Sequence, residues 1–191
     1  MRLNLAGAAT VVLLSLAAAA EAEVAERKFV SGGTVRLELD AGEYEITPSP
    51  DDRIRVIWND GRGDDGHVVV DIAVKGREAN IETDTPWKDG KRIRIELPRR
   101  SHVFINLSAG ELRISGIEGS KDISARAGEI TIGVGSREQY RHVNASVRIG
   151  ELNAAPFNVN QDGFFRSFDW SGRGPYELRA HLTVGELRLT R

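Results

Sequence analysis

Five glutamates share one setting, each following a glycine and preceding an apolar residue: Gly42-Glu43-Tyr44, Gly110-Glu111-Leu112, Gly128-Glu129-Ile130, Gly150-Glu151-Leu152 and Gly185-Glu186-Leu187. If these glycines stack on adjacent strands, the carboxylates form a column with a spacing of about 4.8 Å. Like charges that close repel. A Ca²⁺ ion, which takes several carboxylate oxygens, would relieve the column. So would water together with the neighbouring Arg113, Arg148 and Arg188. Solvation is the expectation, because exposed charges of this kind gain and lose little. No metal and no cofactor is expected.

Other candidate chemistry is sparser. Asn59 to Gly66 packs three aspartates and three glycines into eight residues and contains Arg62-Gly63-Asp64, a tripeptide used by some host-cell ligands. It lacks the ordered ligand spacing of an EF-hand and reads as a long hairpin loop. His67, His102, His142 and His181 are isolated from one another, so no zinc spacing exists. No Gly-x-Ser-x-Gly elbow and no phosphate-binding glycine loop is present. Carboxylates are abundant enough for a fold to assemble a glycosidase pair, but no motif singles one out.

Half of the twelve aromatic residues lie between Pro156 and Tyr176: Phe157, Phe164, Phe165, Phe168, Trp170 and Tyr176. Such a cluster serves either as a sticky platform for a glycan or protein or as a cap over an open end of a β-stack. The alternation of Phe164, Phe168 and Trp170 against Phe165, Ser167 and Asp169 favours the cap, with Phe164, Phe168 and Trp170 on the buried face.

The elements that must position these residues are strands. Apolar residues alternate with polar ones in Val35-Leu37-Leu39, Ile93-Ile95-Leu97, Val103-Ile105-Leu107, Val143-Ala145-Val147 and Leu178-Ala180-Leu182, as half-buried strands require. Helical periodicity is confined to a turn or two over Ser136 to His142. Asp-Gly pairs at Asp60-Gly61, Asp65-Gly66, Asp89-Gly90 and Asp162-Gly163 are expected to mark tight turns. The five Gly-Glu units are flanked by strand on both sides, which makes Gly42, Gly110, Gly128, Gly150 and Gly185 candidate structural corners. Successive corners lie 68, 18, 22 and 35 residues apart. The two short intervals fit one coil of a β-solenoid, and the longer ones need additional coils or insertions. The expected fold is therefore an all-β, β-helix-like solenoid, with an antiparallel β-sandwich as the alternative.

The order of these parts resembles the adhesin-like bacterial proteins with a DUF4097 domain, related to the head domains of autotransporter adhesins. The residues that carry the resemblance are TVRLELDAGEYEI, RIRVIWND, HVVVDIAVKG, KRIRIELP ending at Pro98, the corner series VFINLSAGELRISGIEG and DISARAGEITI, and the closing YELRAHLTVGELRLTR. Together they span Phe29 to Arg191. The resemblance implies an exported or surface-associated β-solenoid domain without catalytic residues. The aromatic insert after Ala154 departs from the regular pattern.

The N-terminus reads as a secretory signal peptide. Arg2 precedes an uncharged Ala-, Leu- and Val-rich run to Ala20, and small residues offer cleavage after Ala20 or Ala22. That run is short for a permanent span. Residues 1–22 are thus expected to be removed, leaving 23–191 as one domain. The formal net charge of −2 gives no field that favours nucleic acid. With no cysteine, burial and backbone pairing must supply the stability. The expected product is a periplasmic or cell-surface structural and binding domain whose partner is an envelope protein or a glycan, with no membrane span after cleavage. The alternative is a carbohydrate-active enzyme on a solenoid scaffold.

Overall fold

The computed structural model describes residues 22–59, 67–85 and 92–191. The leader segment before Ala22, the Arg62-Gly63-Asp64 tripeptide and the pairs Asp60-Gly61, Asp65-Gly66 and Asp89-Gly90 lie outside the described residues. The described chain forms β1 (Glu23–Lys28), β2 (Gly33–Leu39), β3 (Gly42–Ser49), β4 (Arg53–Trp58), β5 (Val69–Lys75), β6 (Glu78–Asp84), β7 (Arg92–Pro98), β8 (Ser101–Ile114), β9 (Lys121–Gly133), β10 (Tyr140–Ala154), β11 (Val159–Ser171) and β12 (Tyr176–Thr190). The protein is all-β, and the strands belong to one large mixed sheet.

Its centre is a parallel stack of bent ribbons. Strands β8, β9, β12 and β10 each run unbroken through a Gly-Glu unit, and they pair in that order. The first arm of β8 pairs with β2 and its second arm with β3, so β2 and β3 together equal one bent strand. Beyond them lie β6, parallel to β2, and β7, parallel to β3. Antiparallel strands close the ends: β5 on β6, β4 on β7, β1 on β4, and β11 on β10.

The bend is written in the spacing of buried residues. Leu107 and Leu112 are both buried, as are Ala125 and Ile130, Val147 and Leu152, and Leu182 and Leu187. Each pair is separated by five positions, whereas a flat strand returns to the same face only after an even number. Both members face one core only if the chain turns between them. Gly110, Gly128, Gly150 and Gly185 make that turn at φ 116°, 132°, 136° and 131°.

The corner glycines fall in one row, but not in chain order. Gly42 pairs with Gly110, Gly110 with Gly128, Gly128 with Gly185, and Gly185 with Gly150. Strand β12 thus slots between β9 and β10. The long interval from Gly42 to Gly110 is taken up by β4 to β7, and that from Gly150 to Gly185 by β11. Within the row the ribbons touch through backbone. A Cβ on Gly128 would run into the Gly110 carbonyl oxygen and lie 2.8 Å from its carbon and 2.9 Å from its nitrogen. A Cβ on Gly185 would meet Gly128 in the same way, and one on Gly150 would meet Gly185.

Of three local expectations, two are corrected. Asp162-Gly163 does not close a hairpin: it lies inside β11, opposite Glu151 and Gly150, and the turn between β10 and β11 is the 3₁₀ segment Ala155–Phe157 with Asn158 at φ 58°. Of the helical turns expected over Ser136 to His142, one 3₁₀ turn forms at Arg137–Gln139, because the buried Tyr140 already opens β10. Phe164 does not face the core, since it is 66% exposed.

Among the described residues one Lys lies within the aliphatic core. Lys121 stands in the inward column formed by Val35, Val103, Leu178 and Val143, and it is 2% exposed. Its ammonium donates to the Gly119 carbonyl (3.2 Å) and to the Tyr140 hydroxyl (2.9 Å). Burial lowers its pKa to about 8, partly offset by Glu118, and burial raises that of Tyr140.

Candidate functional site

The residues just before each corner line a groove of about 970 Å³ that crosses β6, β2, β8, β9, β12, β10 and β11. Counting back four positions from the corner glycine gives Glu38, Asn106, Ser124, His181 and Ser146 on successive ribbons, and Ser167 of β11 continues the row opposite Ser146. Period-two alternation turns these side chains outward while Leu39, Leu107, Ala125, Leu182 and Val147 beside them face the core. The floor therefore presents one short polar side chain per strand. Its backbone N–H and C=O groups are engaged by neighbouring strands.

Two contacts order the row. The Asn106 amide donates to Glu38 Oε1 (2.8 Å), and Ser146 Oγ and His181 Nδ1 share a hydrogen bond of 2.7 Å. Charge is distributed unevenly along the groove. Glu38 and Asp40 stand at the β2 end, whereas Arg126, Arg148 and Arg166 stand toward β11. Arg166 donates to the Asp162 carbonyl (2.6 Å), and the Arg148 guanidinium lies 5.8 Å from the centre of the Phe165 ring. Neither Arg126 nor Arg148 has a carboxylate within ion-pair distance among the described residues.

The aromatic segment divides between two environments. Phe168 and Trp170 are partly buried and pack on Phe157, with ring centres 5.5 and 5.2 Å away. Tyr176, also partly buried, meets His102 and Tyr140 edge to face. Phe165 takes φ 53° and drops out of the pairing with β10 between Arg166 and Phe164. Phe164, opposite the exposed Ile149, and Phe165 both face outward, with Phe165 75% exposed at the groove's end.

The corner glutamates line up on the far side of the glycine row, away from the groove. Arg92 pairs with Glu43 (3.0 Å), Arg113 with Glu111 (3.5 Å), and Arg188 with Glu129 (3.8 Å) and with Glu186. Arg148, expected among these partners, instead reaches into the groove. Among the described residues no group of three or more His, Cys, Asp or Glu side chains is arranged to hold a metal ion. Of the other histidines, His102 accepts from the Ser120 amide through Nδ1 (3.1 Å) and His142 faces Asp169 at 3.5 Å. The carboxylates whose pKa is displaced, Asp51, Glu138 and Glu177, all have it lowered, chiefly by hydrogen bonds from Arg55, Ser136 and Arg141 respectively.

The groove was not evident from sequence motifs, because Asn106, Ser124, Ser146 and His181 are individually unremarkable strand residues. Aligning the five units on their glycines is the signal that would have gathered them.

The structure aligns with the crystal structure of a protein named "putative cell adhesion protein" from Clostridium sporogenes, with a TM-score of 0.57 and 14% identity, over 88% of this chain and 98% of that one. This likeness shows a shared fold. A "putative adhesin" from Bacteroides fragilis aligns with a TM-score of 0.28 and 11% identity over 90% of this chain and 98% of that one. A "putative lipid binding protein" from Parabacteroides distasonis gives 0.24 and 12%, over 89% and 97%. No family model matches the chain, and no curated protein matches it. Among the described residues no helix is long and apolar enough to cross a membrane.

Proposed function

We propose that this chain is an exported, non-catalytic, adhesin-like binding domain of the periplasm or cell surface, built as a solenoid-like stack whose ligand face is the groove across the ribbons. The observation that carries the reading is the in-register row of polar side chains on a concave floor, a surface made by stacking and presented on a rigid scaffold. The adhesion name of the Clostridium sporogenes protein of shared fold supports it, as does the signal-like N-terminus. Catalysis by a glycosidase pair needs one carboxyl group with a raised pKa. The two carboxylates of the groove lie together at its β2 end, and Glu38 is already held by Asn106.

The test is to recover the protein from the periplasm or medium, measure its intact mass, and expose it to a panel of immobilised envelope proteins and glycans. Cleavage after Ala20 or Ala22 and saturable capture of a ligand that is returned chemically intact are expected. Capture of nothing from the panel, or a captured glycan released with new reducing ends, would overturn the reading.

A further inference from the structure

We infer that the groove binds an anionic glycan chain, with acidic groups of the sugar seated on Arg126 and Arg148. The inference rests on the proposed binding function and names its ligand class.

Three observations converge. Arg126 and Arg148 occupy the same position, two residues before the corner, on β9 and β10, with Thr183 of β12 between them. They are separated by two strand spacings, about 10 Å. Both lack a carboxylate partner among the described residues, although elsewhere on the surface arginines commonly have one, as Arg53, Arg92 and Arg141 do. A guanidinium offers a planar fork that suits carboxylate or sulfate oxygens.

Beside these cations the floor carries hydroxyl and imidazole groups at one per strand, a repeat close to the length of one pyranose along a glycan. Exposed Phe165, stacked with Arg148, supplies a ring face at the groove's end. Hydroxyls for sugar hydroxyls, a ring for the apolar face of a pyranose and two cations for acidic substituents form a consistent set.

A peptide is the weaker fit. Extended peptides bind sheets by adding a strand to a free edge. Here the groove runs across the strands, and β8, β9, β12 and β10 are paired on both sides, so the floor offers no backbone partner. The acidic end at Glu38 and Asp40 gives the ligand a direction, with its charged units toward β11.

The experiment is titration calorimetry of the full chain with oligogalacturonate, which carries carboxylates, with dextran sulfate, which carries sulfates, and with neutral dextran. At least one of the two anionic glycans should bind, more weakly as salt rises, and dextran should bind at least about tenfold less tightly. The double variant Arg126→Gln/Arg148→Gln should weaken that binding by at least about tenfold, consistent with losing charge-assisted contacts. Its melting temperature should stay unchanged, and Arg113→Gln outside the groove should have no effect.

Whichever anionic glycan binds identifies the acidic group. Equal binding of dextran, or an unaltered affinity in the double variant, overturns the anionic inference. If that binding is still lost in Phe165→Ala, the groove remains the ligand face and the broader function stands. Binding of none of the three glycans overturns the inference, and the function is then judged by its own protein and glycan panel.

Discussion

Gly128→Ala tests whether the ribbons touch through backbone at the corner. The added methyl would run into the Gly110 carbonyl group, at 2.8 Å from its carbon and closer still to its oxygen. Relief requires β8 and β9 to part locally by roughly 1 Å, which takes N–H···O bonds of about 2.9 Å beyond hydrogen-bonding range. Each buried backbone group left unpaired costs about 1–3 kcal/mol. The residue would also hold φ 132°, a conformation whose strain is about 1–3 kcal/mol. Two broken bonds, each orphaning one buried group, plus the strain give about 3–9 kcal/mol, beyond the usual range for a single substitution. The control is Gly135→Ala, where φ is 62° but nothing lies within 4 Å of the new methyl. It should cost only the left-handed penalty of about 1–2 kcal/mol. Urea melts of both variants, with slopes compared, provide the readout. A Gly128→Ala chain that cannot be recovered folded beside a folded Gly135→Ala chain is the extreme of the same outcome. Equal losses in the two variants would refute the close approach of the glycine row.

Lys121→Met should stabilise the protein near pH 7. A fall from the usual 10.5 to about 8 corresponds to about 3 kcal/mol of burial penalty, from which about 1 kcal/mol for each of two lost hydrogen bonds is subtracted. In the parent, the unfolded chain binds more protons between pH 8 and 10.5, so stability should rise with pH from about 8 to 10. Above 10 the raised pKa values of Tyr140 and Tyr44, which burial makes weaker acids, oppose it. Denaturant midpoints at pH 7 and 9.5 check this, and a variant whose advantage does not shrink at the higher pH would contradict it. Trp170→Ala should cost about 1.5–3 kcal/mol, less than a fully buried aromatic, while Phe165→Ala should stay within about 0.5 kcal/mol; equal midpoints for the two would show that the aromatic segment is not divided. Chelation with EDTA should leave the melting temperature unchanged, because arginines already face four of the five corner glutamates, Glu43, Glu111, Glu129 and Glu186. A loss restored by added Ca²⁺ would instead place an ion in that column.

Much of this architecture is legible in the chain itself. Alternation in Val103-Ile105-Leu107 dictates a half-buried strand, and the interval of five between Leu107 and Leu112 already demands a corner at Gly110. The repeated unit places all five glycines in one row, and at Gly110, Gly128, Gly150 and Gly185 only a residue without Cβ tolerates the positive φ and the close approach. What the sequence leaves open is which ribbon lies beside which. Parallel ladders are made by backbone groups that are alike in every ribbon, and the inward columns of β9, β10 and β12 are similarly aliphatic, so nothing local places Gly185 between Gly128 and Gly150. The groove inherits that ambiguity: Ser124, His181 and Ser146 become neighbours, and Arg126 and Arg148 come to flank Thr183, only once the stacking order is set. The outward turn of both Phe164 and Phe165 is likewise a tertiary outcome. Opposite the Gly150 corner, β11 follows the bend of its partner without a change of register, and Phe164 and Phe165 both reach the surface, where simple alternation would have put them on opposite faces.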